Sequence, residues 1–261
     1  MIFSFSRSIR LLGLVMCMVF FQSSENLSKK YKYFEIHIFD TKYQMILIQN
    51  QGQSFLYTSV RNLNNEYVLS NLLESYLKLT GVDKINYLVV TGEQQKLNLE
   101  SIKQIVPVEK TISNISIDKL EAIKCNYKNN LSLSNLRIKF ISNKTACLVD
   151  IKYLDREFLL FDNATVKSQE RIFNLYNKVV SPTIIVTSTK LYSKFINNSL
   201  DYIIYISDRL DELQRLNKDK LKIFDTYANR AITIRVDQNS KLELLLNLKN
   251  INKKLLIDIF I

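Results

Sequence analysis

The chain predicts an α/β (α+β) fold: a four-layer αββα sandwich, with two mixed sheets packed face to face and helices on the outer sides. Three observations predict it. Residues 33–247 run on without a linker-like stretch, so they read as one domain. Each half of that stretch opens with a β-hairpin pattern and continues as alternating helices and strands. Hydrophobic residues make up 47% of the 261, enough to bury a full core in one domain of generous size.

The elements follow from periodicity. Phe34-Glu-Ile-His-Ile-Phe39 alternates, and residues 44–49 and 54–58 read as two more strands around a turn at Gly52. Between 67 and 80, Leu69, Leu72, Leu73, Tyr76 and Leu77 share one helical face, and Gly81 suits the position just past the helix end. A strand at 86–90, a helix through Leu99, Ile102 and Ile105, a stop at Pro107 and a strand at 108–113 complete the first half. The second half opens with a hairpin, 146–153 and 157–161, around Leu154-Asp-Arg156. Residues 166–179 form an amphipathic helix, 183–187 a buried strand, 190–197 a short helix and 201–206 another strand. Asp208 can cap a helix running to about 217, and strands at 221–225, 231–236 and 242–247 finish the sheet.

Outside the domain the chain divides into a membrane-targeting segment (1–28), a basic linker (29–32) and a C-terminal tail (248–261). Arg7 and Arg10 precede an uncharged apolar run at 11–21, which is shorter than the ~20 residues needed to span a bilayer. It fits the apolar region of a signal peptide or signal anchor. Lys29, Lys30 and Lys32 follow, suited to anionic headgroups. The domain is expected on the outer, extracytoplasmic side, although Lys and Arg flank the run on both sides.

Composition excludes several chemistries. With 4 Gly in the chain there is no Gly-rich phosphate loop of either common pattern. Cys17, Cys125 and Cys147 form no CxxC pair, so a zinc knuckle is excluded. Cys125 and Cys147 read as two buried free thiols; they could pair if the domain faces an oxidising compartment. The net charge of +11 attracts nucleic acid or anionic lipid, discounted by the Lys bias of an AT-rich coding sequence. His37 is the single histidine. It lies in an alternating strand, where a hydrogen-bonded structural role is the expected one.

Four places carry a family resemblance. Ile36-His-Ile-Phe-Asp40, running on to Met45-Ile-Leu-Ile48, is similar to an opening strand pair of Phe-Leu-Asp-Val-Gly-Gln-Gly-Asp type, with Asp40 kept and Lys42 and Gln44 replacing glycines. Phe55-Leu-Tyr-Thr58 corresponds to a strand ending in Ile-Asp-Thr-Gly. Gly81-Val-Asp-Lys-Ile-Asn-Tyr-Leu-Val-Val-Thr91 resembles Gly-Ile-x-x-Leu-Asp-x-Leu-Val-Leu-Thr, and Asn229-Arg-Ala-Ile-Thr-Ile-Arg235 resembles Gly-Ala-Ile-Thr-Ile-Arg. Across roughly 33–240 the chain resembles the metallo-β-lactamase-fold C-terminal domain of the ComEC family of competence (DNA uptake) proteins.

The resemblance implies a metal loop after Thr91, of His-x-Asp-x-Asp-His type. Here Gly92 and Leu97 stand at the His positions, Gln94 and Lys96 at the acidic ones. An ammonium has no lone pair to give and repels a divalent cation. Asp162 or Asn163, depending on a one-residue register, is the remnant of a bridging Asp. A later His-His-Gly-Ser loop aligns with Ser188, Thr189 and Lys190. One imidazole in the whole chain cannot supply a water-activating zinc site, and Glu93 has no identifiable nucleophile to serve.

The sequence therefore predicts a vestigial pocket (Asp40, Gly92, Gln94, Lys96, Leu97, Asp162, Asn163, Ser188, Thr189) in a catalytically inactive domain, without metal or cofactor. Lys218, Lys220, Lys222 and Lys253 are candidates for contacting a phosphate backbone. DNA, the membrane and a polytopic competence channel are the expected partners. Two readings stay open beside this one: an active nuclease or phosphodiesterase with unfamiliar ligands, and a structural envelope protein or relic.

Overall fold

The computed structural model describes residues 33–39, 45–59, 73–91, 95–113, 122–126, 129–133, 135–142, 147–161, 164–176, 182–196, 199–206, 221–226, 231–246 and 255–258. The targeting segment lies outside them, as does the helix expected after Asp208. Among the described residues no helix is long and apolar enough to cross a membrane.

The larger sheet holds β1 (Phe34–Ile38), β2 (Met45–Asn50), β3 (Gln53–Thr58), β4 (Ile85–Val90), β5 (Val108–Ser113), β6 (Ala122–Lys124), β14 (Ile232–Val236), β15 (Leu242–Leu246) and β16 (Leu255–Asp258). Its order is β16-β15-β14-β1-β2-β3-β4-β5-β6. β3 to β6 are parallel and the other pairings antiparallel. The smaller sheet holds β7 (Leu131–Leu133), β8 (Leu136–Ser142), β9 (Cys147–Tyr153), β10 (Arg156–Leu160), β11 (Ile184–Thr187), β12 (Tyr202–Tyr205) and β13 (Lys222–Asp225). Its order is β13-β12-β11-β10-β9-β8-β7, parallel from β10 to β13. β16 lies in the segment that sequence assigns to the C-terminal tail.

Alternation along each strand sorts side chains into layers. Phe34, Ile36 and Ile38 of β1 meet Ile138, Phe140, Val149, Ile151 and Phe158 of the smaller sheet in the inter-sheet core. Leu47, Leu56, Leu88 and Val90 face outward, where Leu77 of α1 (Ser75–Thr80) and Leu99 and Ile102 of α2 (Gln95–Ile105) cover them. On the other outer face, Leu148, Leu159, Ile185 and Ile203 are covered by Ile172 of α3 (Val166–Tyr176) and by Phe195. These are the four αββα layers that the sequence predicts. Gly81 ends α1 at φ 62°, the left-handed conformation its position calls for.

The structure departs from expectation in three places. The strands β6, β7 and β8 fill a stretch that sequence left unassigned, and β8 is the plain case, with Leu136, Ile138 and Phe140 buried in the inter-sheet core. The helix expected at 190–197 is only a 3₁₀ turn, Ser193–Phe195, because Tyr192 is extended (ψ 128°) with its N–H held by Gln169 Oε1 at 2.8 Å. Cys125 and Cys147 are not free thiols: they form a disulfide with Cα atoms 6.3 Å apart. Spacing alone does not reveal that strand ends from opposite sheets bring them within bonding range.

Candidate functional site at the strand ends

Parallel strands present ligands with their carboxyl ends, where the chain turns away and several loops converge. β3, β4, β5 and β6 end on the side where β10, β11, β12 and β13 also end, and the Cys125–Cys147 bond joins the two rows.

Small hydroxyls terminate these strands. Thr58, Ser59, Thr91, Ser113, Thr187 and Thr226 are each no more than 1% exposed. The Thr91 N–H donates to the Thr58 carbonyl at 3.0 Å, continuing the β3–β4 pairing, while among the described residues its buried hydroxyl has no partner. Asp225 ends β13 beside Thr226, is itself buried, and pairs in register with Tyr205 of β12. Burial pushes the Tyr205 phenol up to about 12.

The loop after β11 is taken up by its own hydrogen bonds. Thr187 Oγ1 donates to the Thr189 carbonyl at 3.0 Å, and the Thr189 hydroxyl donates to the Ala164 carbonyl at 3.1 Å. Gln169, fully buried on α3, donates to the Ala164 carbonyl at 3.0 Å and the Lys190 carbonyl at 2.9 Å. A position that the family resemblance assigns to metal ligands is thus a structural crosslink between helix and loop.

Of the residues predicted from sequence, Ser188 and Thr189 lie at this end of the sandwich. Lys96 and Leu97 fall in the first turn of α2 rather than in a loop, since the helix starts at Gln95. Asp40, Gly92, Gln94, Asp162 and Asn163 lie outside the described residues, as do Lys218, Lys220 and Lys253. Lys222 opens β13 on the surface, its ammonium 5.9 Å from the Tyr202 ring centroid. Sequence reasoning found the strand end at Thr91 but missed Ser59, Ser113, Asp225 and Thr226. Their signal is a small polar residue closing an apolar strand, as in Phe55-Leu-Tyr-Thr-Ser59 and Lys222-Ile-Phe-Asp-Thr226.

His37 is not at this site. It sits on the outer face of the larger sheet, 7% exposed, its ring 6.0 Å from that of Tyr76. Nδ1 is 3.1 Å from Thr233 Oγ1, and Nε2 is 3.0 Å from Gln49 Oε1 and 3.3 Å from Glu35 Oε2. Both ring nitrogens are thereby committed to structural partners.

Among the described residues, those at the strand ends do not fit the metal centre that the family resemblance implies. Its one available imidazole is engaged elsewhere, and Cys125 and Cys147 offer no thiolate while bonded. Among the described residues no three His, Cys, Asp or Glu side chains gather as a ligand set.

No protein-family model matches the chain, and no curated protein matches it. Solved structures do. CmlA, a diiron beta-hydroxylase from Streptomyces venezuelae, superposes with a TM-score of 0.51 at 9% identity, over 77% of this chain and 54% of its own. This chain therefore spans about half the length of that protein. A putative Zn-dependent hydrolase of the metallo-β-lactamase superfamily from Thermotoga maritima aligns at 7% identity and TM-score 0.37, over 74% of this chain and 99% of its own. BJP-1, a subclass B3 metallo-β-lactamase of Bradyrhizobium japonicum, aligns at 10% and 0.36, over 57% and 74%. What the chain shares at this level is the fold alone, a sandwich of two mixed sheets with outer helices.

Proposed function

We propose that this chain is a membrane-tethered, catalytically inactive metallo-β-lactamase-like domain of ComEC type, an accessory to DNA binding or uptake beside a polytopic competence channel. The observation that carries the reading is the chemistry at the strand ends. Among the described residues the strand ends carry hydroxyls, a self-bonded loop after β11 and the buried carboxylate of Asp225, with no imidazole beside them for water activation. The four sequence motifs point to the competence family, and the charge of +11 suits a polyanion. The apolar run at 11–21 supports the tether, and a buried disulfide supports an extracytoplasmic location.

The test is a DNA titration of the detergent-solubilised chain across salt concentrations. Phosphate contacts release counterions, so log K should fall linearly with log salt, with a slope near −3 for about four contacts. Reversing the charges of Lys218, Lys220 and Lys222 should weaken binding to every sequence alike. No affinity at low salt would sink the DNA role. Stoichiometric zinc with DNA cleavage would instead establish the active-hydrolase reading.

A further inference from the structure

The Cys125–Cys147 bond crosses from one sheet to the other at the strand-end side of the sandwich. Cys125 follows β6, and its N–H donates to the Ser113 carbonyl at the end of β5 at 2.7 Å, which fixes it in the larger sheet. Cys147 opens β9 in the smaller sheet, paired in register with Ser142 at the end of β8. The Ser142 hydroxyl donates back to the Cys125 carbonyl at 2.5 Å, so a hydrogen bond doubles the covalent link. Both cysteines are no more than 1% exposed and belong to the inter-sheet core.

The family resemblance puts metal ligands after β4 on the larger sheet and after β10 and β11 on the smaller. A metal held by those loops would tie together the same two sheets at the same end. The ligand positions of this chain do not fit a metal, yet the tie between sheets is present in another form. We infer that the Cys125–Cys147 disulfide is the structural clamp of this end of the domain in place of a metal, and that the domain reaches its full stability only where thiols are oxidised.

The chemistry balances with a thiol-oxidising partner. One thiolate attacks the disulfide of an exchange catalyst in the compartment, and the second cysteine then displaces that catalyst. The two cysteines lose two protons and two electrons overall, and the catalyst's disulfide is reduced to a dithiol. Once formed, the bond is shielded from reductants by the core around it, which suits a permanent clamp and not a switch. It spans 22 residues of sequence, so its main effect is to restrict the unfolded chain.

The inference does not depend on DNA binding, and its test reads thiols. The full chain is expressed once with export to an oxidising compartment and once retained in a reducing one. Each product is solubilised, denatured without reductant, alkylated, digested and mapped by mass. The exported chain should give one cross-linked peptide pair containing Cys125 and Cys147, with Cys17 the only cysteine open to alkylation. The retained chain should be alkylated at all its cysteines and recovered in lower soluble yield. Replacing both Cys125 and Cys147 with Ala in the exported chain should lower Tm by roughly 10 °C. A metal chelator should leave the Tm of the wild-type chain unchanged. Free Cys125 and Cys147 in the exported protein would overturn the inference, as would a chelator that lowers Tm as far as the double substitution does. The peptide map stands even if the double variant fails to fold.

Discussion

On the outer face of the larger sheet, Glu35 shares its carboxylate between Arg235 Nε at 2.6 Å and His37 Nε2 at 3.3 Å, whereas on the outer face of the smaller sheet Asp150 lies beside a second carboxyl, Glu157. Both acids are shielded by the sheet and both pay for leaving water. Burial pushes Glu35 up, but the hydrogen bond from His37 and the charge of Arg235 outweigh it and hold the carboxyl below the usual range. Asp150 is pushed up to about 7, by burial first and the Glu157 charge next, with Lys139 and Arg137 offsetting only part of this. Asp150 Oδ1 has no hydrogen-bond partner among the described residues. Burial pushes both acids up; at Glu35 a hydrogen-bond donor and a cation reverse that push, whereas at Asp150 a second carboxyl adds to it.

The two sites should therefore respond to pH in opposite directions. Glu35, with a lowered folded pKa, contributes stability above its unfolded value near 4.5 that is lost as pH falls further. Asp150 retains a proton in the folded state that the unfolded chain has released, so its contribution declines as pH rises from about 4 to about 7 and is level beyond. Stability followed by urea midpoint should peak on the acid side of neutrality. A profile flat between pH 5 and 8 would mean that Asp150 is ionised throughout.

The largest single effect is expected from Arg235→Met. It leaves Glu35 partly buried with only His37 beside it and should cost about 2 kcal/mol at pH 7, measured by urea unfolding. The loss should shrink as pH falls and Glu35 takes up a proton. A smaller effect of opposite sign is expected from Asp150→Asn: a gain of about 1 kcal/mol at pH 8 and none near pH 4. If that variant is destabilised equally at both pH values, the hydrogen bonds of Asp150 matter more than its charge. The smallest effect belongs to an ion pair in water. Lys84 Nζ is 2.7 Å from Glu109 Oε1 with both side chains about half exposed, and Lys84→Gln should leave Tm unchanged within error.

Much of the fold can be read from the sequence because alternation survives wherever one strand face is buried. Phe34, Ile36 and Ile38 point into the inter-sheet core while Glu35 and His37 point out, as the pattern requires. Leu136-Arg-Ile-Lys-Phe140 carries the same signal, and a pass for period-two patterns alone recovers β8. Short strands such as Ala122–Lys124 carry too few residues for any period to emerge. Site residues are harder to read, because convergence is a tertiary property. Asp225 and Ser113 are 112 positions apart in the chain (225 minus 113), and nothing local to either marks a common end of the sandwich. The 3₁₀ turn at 193–195 fails as a helix for a similar reason, since the Gln169 side chain that holds Tyr192 extended is 23 residues away.

The order of the larger sheet also has a consequence for how the chain is made. β1 lies between β2 and β14, and the Glu35–Arg235 pair closes a span of 200 residues. At ~5–20 residues per second, the ribosome takes roughly 10–40 s after Glu35 to supply its partner. During that interval one edge of β1 has open backbone groups and an apolar face awaiting cover. Synthesis therefore sets a waiting time that the early hairpin must survive, and a chain shortened before β14 leaves that edge open for good.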